Sequence, residues 1–349
     1  MEYRRLGRTD LRVSALSFGT MVFGDQRTEA EGHRMLDMAF ERGVNLYDTA
    51  ELYPIPPKAE TQGATDRILG SWIRARGNRD RVLVASKVVG RSENTWFRDG
   101  RPANLSRDHV REAVDKGLTR LGLDHIDLFQ VHWPDRAVSQ FGSNPTIYRA
   151  PEPAPDEVPI EETLEALTEL QREGKIGHVG LSNESAWGTM RYLALSETKG
   201  LARVQSIQNA YSLVNRTFEV ALAEIAMREE VGLLAYSVLA QGYLTGKYLD
   251  GALPAGSRKA LYDRLQRYEK PGSEAAVRAY VELAREEGIP PSQLAIRFAL
   301  TRPFMTSVII GASTPEQLST DLDAADLPWR AELEERVDQI HLLHQNPSP

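Results

Sequence analysis

The sequence predicts an α/β fold: a (β/α)8 TIM barrel with an N-terminal β-hairpin and long loops at the C-terminal face of the barrel. Three observations carry this. Short apolar runs alternate with longer amphipathic stretches eight times over 349 residues, the rhythm of a parallel sheet covered by helices. The turn after the first run, Gly19 to Gly24, reads GTMVFG, which lacks the GxGxxG spacing of a doubly wound dinucleotide fold. The longest connections leave the C-terminal ends of strands, where barrel enzymes carry their chemistry. With no strong linker between units, residues 1–349 are expected to form a single barrel domain.

The elements follow in order. Residues 3–6 and 11–13, around Gly7-Arg8-Thr9-Asp10, form a hairpin outside the repeat that could plug the bottom of the barrel. The strands are predicted at 15–18, 45–48, 82–87, 126–131, 176–181, 204–208, 233–236 and 308–310. Each is a short apolar run bounded by turn residues. Helices are predicted at 29–42, 64–75, 107–121, 163–172, 185–196, 217–228, 275–286, 291–300 and from 315 to 322. Val110, Val114 and Leu118 lie four apart, and Leu164, Leu167 and Leu170 three apart, so each set shares one helix face. Residues 136–159 hold Pro145, Pro151, Pro153, Pro155 and Pro159 and should not be helical. Residues 237–273 mix Gly, Pro and basic residues. Loops this long usually serve a site.

Composition narrows the function. The chain is 41% hydrophobic and 26% charged, ordinary for a globular protein. A net charge of -7, with Lys and Arg scattered among acids, argues against a nucleic-acid partner. There is no run of 18 apolar residues, so no membrane span is expected. MEYRRLGRTDLRV has no apolar core of a signal peptide, and a cytoplasmic location is the default. Cysteine is absent, which removes disulfides, a thiol nucleophile and thiolate metal ligation. The seven histidines include no HxH pair and no HExxH, so no metal site is expected. His33, His109, His125, His341 and His344 read as surface or packing residues, and His178, inside a strand, as a satisfied core histidine. No sequence signal sets the oligomeric state.

Ionisable residues at strand ends are the candidate chemistry. Asp48 ends the second strand in NLYDTAELY, with Tyr53 in the loop beyond; Lys87 ends the third in VLVASK; His132 follows the fourth in LFQVHW. Adjacent strand ends of a barrel converge on one mouth. A tyrosine, lysine, aspartate and histidine there suit proton transfer to a carbonyl oxygen. A lysine ammonium beside the phenol should lower its pKa. None of these side chains can supply a hydride, so a cofactor is implied.

At these residues the sequence resembles the aldo-keto reductase superfamily. NLYDTAELY, VLVASK and LFQVHW match its catalytic motifs in order, and GRTDLRVSALSFGTMVFG, GKIGHVGLSN and AYSVLAQGYLTGKY extend the likeness over nearly the whole chain. ELYPIPPKAETQG and QVHWPDR resemble the Tas-like branch, near the Kv-channel β subunits. The resemblance implies an NADPH-dependent reductase of small-molecule aldehydes or ketones, with Asp48, Tyr53, Lys87 and His132 as its catalytic tetrad. It also implies that Ser182, Asn183 and Gln208 hold the carboxamide and Tyr236 stacks on the nicotinamide. Ser237, Leu239 and Gln241 would follow the pyrophosphate, Lys247 and Arg258 would meet phosphates, and Gly311, Ser313, Gln317 and Asp321 would take the adenosine end. The family usually has Glu-Asn where this chain has Thr320 and Asp321, and an ionised Asp only accepts hydrogen bonds. The insertion at 54–63, with Lys58 and Glu60, should shape the substrate pocket together with Trp133 and residues 136–159. The alternative implied by the Kv-channel β likeness is a nucleotide-sensing regulatory subunit that keeps the same residues.

Overall fold

The computed structural model describes residues 1–138, 147–148, 150–262 and 266–349. Part of the proline-rich connection, including Pro145, and residues 263–265 lie outside the described residues.

Eight parallel strands close a barrel: β3 (Leu16–Gly19), β4 (Leu46–Asp48), β5 (Leu83–Val88), β6 (Ile126–Val131), β7 (Ile176–Ser182), β8 (Val204–Gln208), β9 (Gly232–Ala235) and β10 (Met305–Ile310). β10 pairs with both β9 and β3, which completes the ring. The strands are buried on both faces, and this is why they read as continuous apolar runs. The helices that cover them begin with α1 (Glu29–Glu41), α2 (Ala64–Arg76), α3 (Arg107–Leu121), α4 (Ile160–Arg172), α5 (Ala186–Lys199) and α6 (Leu222–Glu229). Three more, α7 (Arg258–Tyr262), α8 (Ser273–Glu286) and α9 (Pro291–Leu300), lie between β9 and β10. α10 (Pro315–Asp323) and α11 (Ala331–Leu343) complete the chain. None of the helices among the described residues is long and apolar enough to cross a membrane.

Local chemistry sets the helix ends. Thr28 caps α1 with a capping box: its hydroxyl accepts from the Glu31 N–H, while the Glu31 carboxylate accepts from the Thr28 N–H. Gly122 ends α3 in the left-handed region, where glycine carries no steric cost. Gly70 is needed for packing: a Cβ there would lie 1.9 Å from the Leu121 carbonyl oxygen, so α2 meets the end of α3 only because the side chain is absent.

The predicted hairpin forms. β1 (Tyr3–Arg5) pairs antiparallel with β2 (Arg12–Ser14). Leu6 and Val13 are buried against Leu46, Ala85, Leu128, Leu234 and Ile309, the inward-facing residues of the barrel. Leu46 and Ala85 sit two residues before Asp48 and Lys87, so the hairpin closes the end away from the strand-end cluster. Full burial of Leu6 and of Val13 contributes about 1.5–3 kcal/mol each.

Three expectations are corrected. Residues 217–228 are not one helix: a 3-10 turn over Thr217–Glu219 is separated from α6 by Ala221, whose φ is -137°. Asn215 accepts from both the N–H and hydroxyl of Thr217, and Arg216 grips Glu219, so the turn is held by its own side chains. The long connection at 237–273 is not all loop: its described residues include short helical turns at Ala240–Thr245 and Leu249–Gly251 before α7. Its partnered aromatic residues Tyr243, Tyr248 and Tyr268 are buried and pack on one another. His178 is not a core histidine; it is half-buried and lines an open cavity of about 430 Å³ beneath the hairpin, with Arg8, Arg203 and Gln205.

Candidate active site

Strand register brings the cluster together. Asp48 lies opposite Gly19 on β3 and Ala85 on β5, while Lys87 lies opposite Gln130 on β6. The Lys87 ammonium is fully buried and donates to Asp48 Oδ2 (2.6 Å) and to the Thr49 carbonyl (2.8 Å). The same ammonium sits 4.9 Å from the centre of the Tyr53 ring. His132, just past β6, meets the Tyr53 ring edge-on at 5.7 Å, and its Nδ1 is buried with no hydrogen-bond partner. The four side chains therefore share one mouth.

A second tier holds the first. Gln208, at the end of β8, donates to Asp48 Oδ1 (2.8 Å), so both carboxylate oxygens are engaged. The Ser182 hydroxyl donates to the Gln208 carbonyl, and the Asn183 amide donates to the His132 carbonyl, each at 2.8 Å. The Tyr236 hydroxyl donates to Asn183 Oδ1 (2.6 Å). Ser182, Asn183, Gln208 and Tyr236 thus form one connected rim.

The electrostatics correct one expectation. Burial, followed by the Asp48 charge, pushes the Tyr53 phenol up rather than down, with Arg258 opposing. The Lys87 ammonium, 4.9 Å from the ring centre, donates to Asp48 and to the Thr49 carbonyl. Burial pulls the Lys87 ammonium below its ordinary value, while Asp48 works against that shift. His132 is pulled well below its ordinary value by burial and then by Lys87, so its imidazole is neutral. The resting site holds a protonated phenol beside a neutral imidazole.

The other predicted positions lie on segments that follow the C-terminal ends of β7, β9 and β10. Asn183, Ser237 and Gln241 all have left-handed backbone, with φ of 53°, 56° and 55°. Non-glycine residues adopt this region at a cost, and such strain collects where backbone must present groups to a ligand. Leu239 lies between the last two of these, at the start of the turn over Ala240–Thr245. Lys247 stands over the Tyr248 ring at 5.2 Å. Arg258 begins α7 and lies among the Tyr248, Tyr262 and Tyr268 side chains, close enough to act on Tyr53. Gly311 follows β10 directly, and the Ser313 N–H donates to Gln317 Oε1 (3.0 Å). Asp321 is buried on α10 near Ser292 and Lys247, and burial pushes its carboxyl up to about 7.

Two residues escaped the sequence reading. Arg267 lies against Tyr236 and Tyr268 at the mouth. It carries no spacing signal; only the fold of residues 237–273 brings it there. Among the described residues, none of Arg267, Arg258 and Lys247 has a carboxylate within ion-pair distance, and Lys247 lies near enough to Asp321 to act on its carboxyl. Asp25 accepts from the Tyr262 hydroxyl (2.9 Å) and from Lys58 (2.6 Å), tying α7 across to the loops after β3 and β4. Lys58 is thereby committed to Asp25. Trp133 instead packs with Leu52 and Trp96 over Val89, Phe97 and Ala103, forming an apolar wall beside His132. No group of three or more His, Cys, Asp and Glu among the described residues is arranged to hold a metal.

Comparison with known proteins agrees with this geometry. Residues 15–341 match the family model described as "Aldo/keto reductase family". The chain belongs to the aldo/keto reductase family. It is 45% identical over 349 residues to "Protein tas" of Escherichia coli (strain K12), covering 100% of both chains. It is 31% identical to "Uncharacterized oxidoreductase YrpG" of Bacillus subtilis (strain 168), covering 97% of this chain and 96% of that one. It is 30% identical to "Putative voltage-gated potassium channel subunit beta" of Schizosaccharomyces pombe, covering 97% and 92%. Membership in the aldo/keto reductase family makes this chain an oxidoreductase that uses a nicotinamide nucleotide.

Proposed function

We propose that this protein is a cytoplasmic NADPH-dependent reductase of aldehydes and ketones. The observation that carries the reading is the convergence of Tyr53, Lys87, Asp48 and His132 at one mouth. The residues present also fit the cofactor: Lys247, Arg258 and Arg267, without an ion pair among the described residues, suit its phosphates, and the Ser182–Asn183–Gln208 rim offers donors and acceptors for a carboxamide. NADPH, when bound, supplies the hydride that no side chain can. Tyr53 donates a proton to the carbonyl oxygen, and its raised pKa keeps that proton in place until charge develops on the oxygen. Lys87, anchored by Asp48, puts positive charge behind the ring and stabilises the phenolate left after transfer. Neutral His132 orients the carbonyl through a ring nitrogen. Leu52, Trp96 and Trp133 offer an apolar surface for an aromatic or aliphatic substituent.

The test is NADPH and NADH binding by fluorescence quenching, followed by turnover on a carbonyl panel. NADPH should bind more tightly, and a reactive aldehyde such as 4-nitrobenzaldehyde should be reduced. Lys247→Met and Arg258→Met should each weaken NADPH binding by about 10- to 100-fold, the range for a hydrogen bond to a charged group. Unchanged dissociation constants in both variants would remove the phosphate-cradle assignment.

Asp321 adds a pH dependence. Its carboxyl titrates near 7 in the folded chain against an ordinary value of 3.8. Between about pH 4 and pH 7 the folded protein keeps a proton that the unfolded chain has released, so stability falls as pH rises through that window. Asp321→Asn cannot ionise and should escape this fall. It is expected to be more stable than the parent by roughly 2–4 kcal/mol at pH 8, with the difference vanishing near pH 4. Denaturant melts across pH check this; parallel curves for the two proteins refute it. While protonated, Asp321 can donate as well as accept, as an asparagine would, and so can still serve an adenine.

A further inference from the structure

One buried ion pair lies beside the tetrad and has no part in the chemistry above. The Glu51 carboxylate, two residues before Tyr53, receives both terminal nitrogens of Arg98, with Nη2 to Oε2 at 3.1 Å. The Arg98 side chain is 0% exposed and that of Glu51 2%. Glu51 Oε2 also accepts from the Val89 N–H (3.0 Å), two residues beyond Lys87. The Glu51 N–H donates to the Lys87 carbonyl (3.1 Å), and its carbonyl accepts from the Gln62 side chain (2.8 Å). Arg98 closes the 3-10 turn Thr95–Phe97, donating to the Phe97 carbonyl (2.9 Å). That turn carries Trp96, which packs with Leu52 and Trp133.

A pair this deep gives two ions up from water, and packed apolar groups would stabilise the fold at least as well. What apolar groups cannot do is hold two segments in one register, as a planar two-pronged bond does. Glu51 touches the strand of Lys87 on both sides, through its N–H and its carboxylate. It also belongs to the segment that carries Tyr53. The 4.9 Å spacing between the Lys87 ammonium and the Tyr53 ring therefore depends on where this pair places the two segments.

We infer that Glu51 and Arg98 are positioning residues: their buried pair sets Tyr53 against Lys87 and holds the Trp96 turn beside the substrate. The kinetic part of the test rests on the reductase reading; the geometric part does not. Three full-length variants are needed. Arg98→Lys keeps the charge but loses the two-pronged contact, Glu51→Gln leaves Arg98 unpaired, and the double variant Glu51→Gln with Arg98→Met leaves no stranded ion. The double variant and Arg98→Lys should melt near the parent temperature and bind NADPH within about twofold of it. Their kcat should fall by about tenfold or more, the scale for small misplacement of a reacting group. The deuterium isotope effect on kcat, measured with NADPH labelled at the transferred position, should rise as hydride transfer becomes limiting. Glu51→Gln should add a loss of melting temperature to the same kinetic change. A merely structural pair would lower the melting temperature and leave kcat per folded site and its isotope effect unchanged, which overturns the inference.

A second readout needs no turnover. With tyrosine labelled at the ring Cζ, the Tyr53 resonance, assigned from Tyr53→Phe, should shift in Arg98→Lys and in the double variant. A Tyr53 signal unmoved in both overturns the inference. A parent protein that reduces no carbonyl would sink the reductase reading instead, and the resonance test would still stand.

Discussion

Tyr53→Phe is expected to lower kcat for 4-nitrobenzaldehyde reduction by about 10²- to 10⁴-fold, the usual contribution of a positioned general acid. The substitution removes only the hydroxyl. The ring keeps its place over the Lys87 ammonium and edge-on to His132, so packing is preserved. Neither neighbour can take over the proton. The imidazole is neutral, and the lysine ammonium is held over the ring by Asp48 and the Thr49 carbonyl, its charge needed there to stabilise the phenolate. The dissociation constant for NADPH should stay within about twofold, because the cations proposed to meet its phosphates are untouched. Turnover at the parent rate would falsify the assignment. Weakened cofactor binding with unchanged kcat would move Tyr53 from acid to binding residue.

Lys87→Met should cost both stability and activity. It strands the Asp48 carboxylate in the barrel with Gln208 as its remaining side-chain donor. Removing one partner of a buried ion pair typically destabilises by about 3–5 kcal/mol. Adding Asp48→Asn should recover most of that loss, since no unpaired charge remains. Turnover should not recover, because nothing then stabilises the phenolate left by proton transfer. Denaturant melts and single-turnover rates on the two variants separate the effects. Equal destabilisation of the single and double variants would mean that the Lys87–Asp48 coupling does not hold this site together. Recovery of rate with recovery of stability would deny Lys87 a chemical role.

Much of the site was legible because its chemistry sits at strand ends. Asp48, Lys87 and His132 stand out as polar groups terminating apolar runs, and a barrel has one face where such ends meet. Arg267, Asp25 and Arg98 carried no comparable mark. Each is an ordinary charged residue in a turn or loop, and each acquires its role from a partner far away in the chain: Tyr236, Tyr262 and Glu51. The upward shift of the Tyr53 phenol was illegible for the same reason. It depends on how completely the mouth is buried and on the Asp48 charge brought beside the ring.

The sequence by itself determined the (β/α)8 barrel, the hairpin plug and the three strand-end residues with Tyr53 in the loop beyond, because periodicity and strand-end chemistry are local properties. The tertiary structure alone decided which cations have no ion pair among the described residues, that Asp25 ties α7 to the loops after β3 and β4, and that Tyr53 rests protonated. Those outcomes depend on desolvation and on pairings across the chain, which spacing along a sequence does not encode.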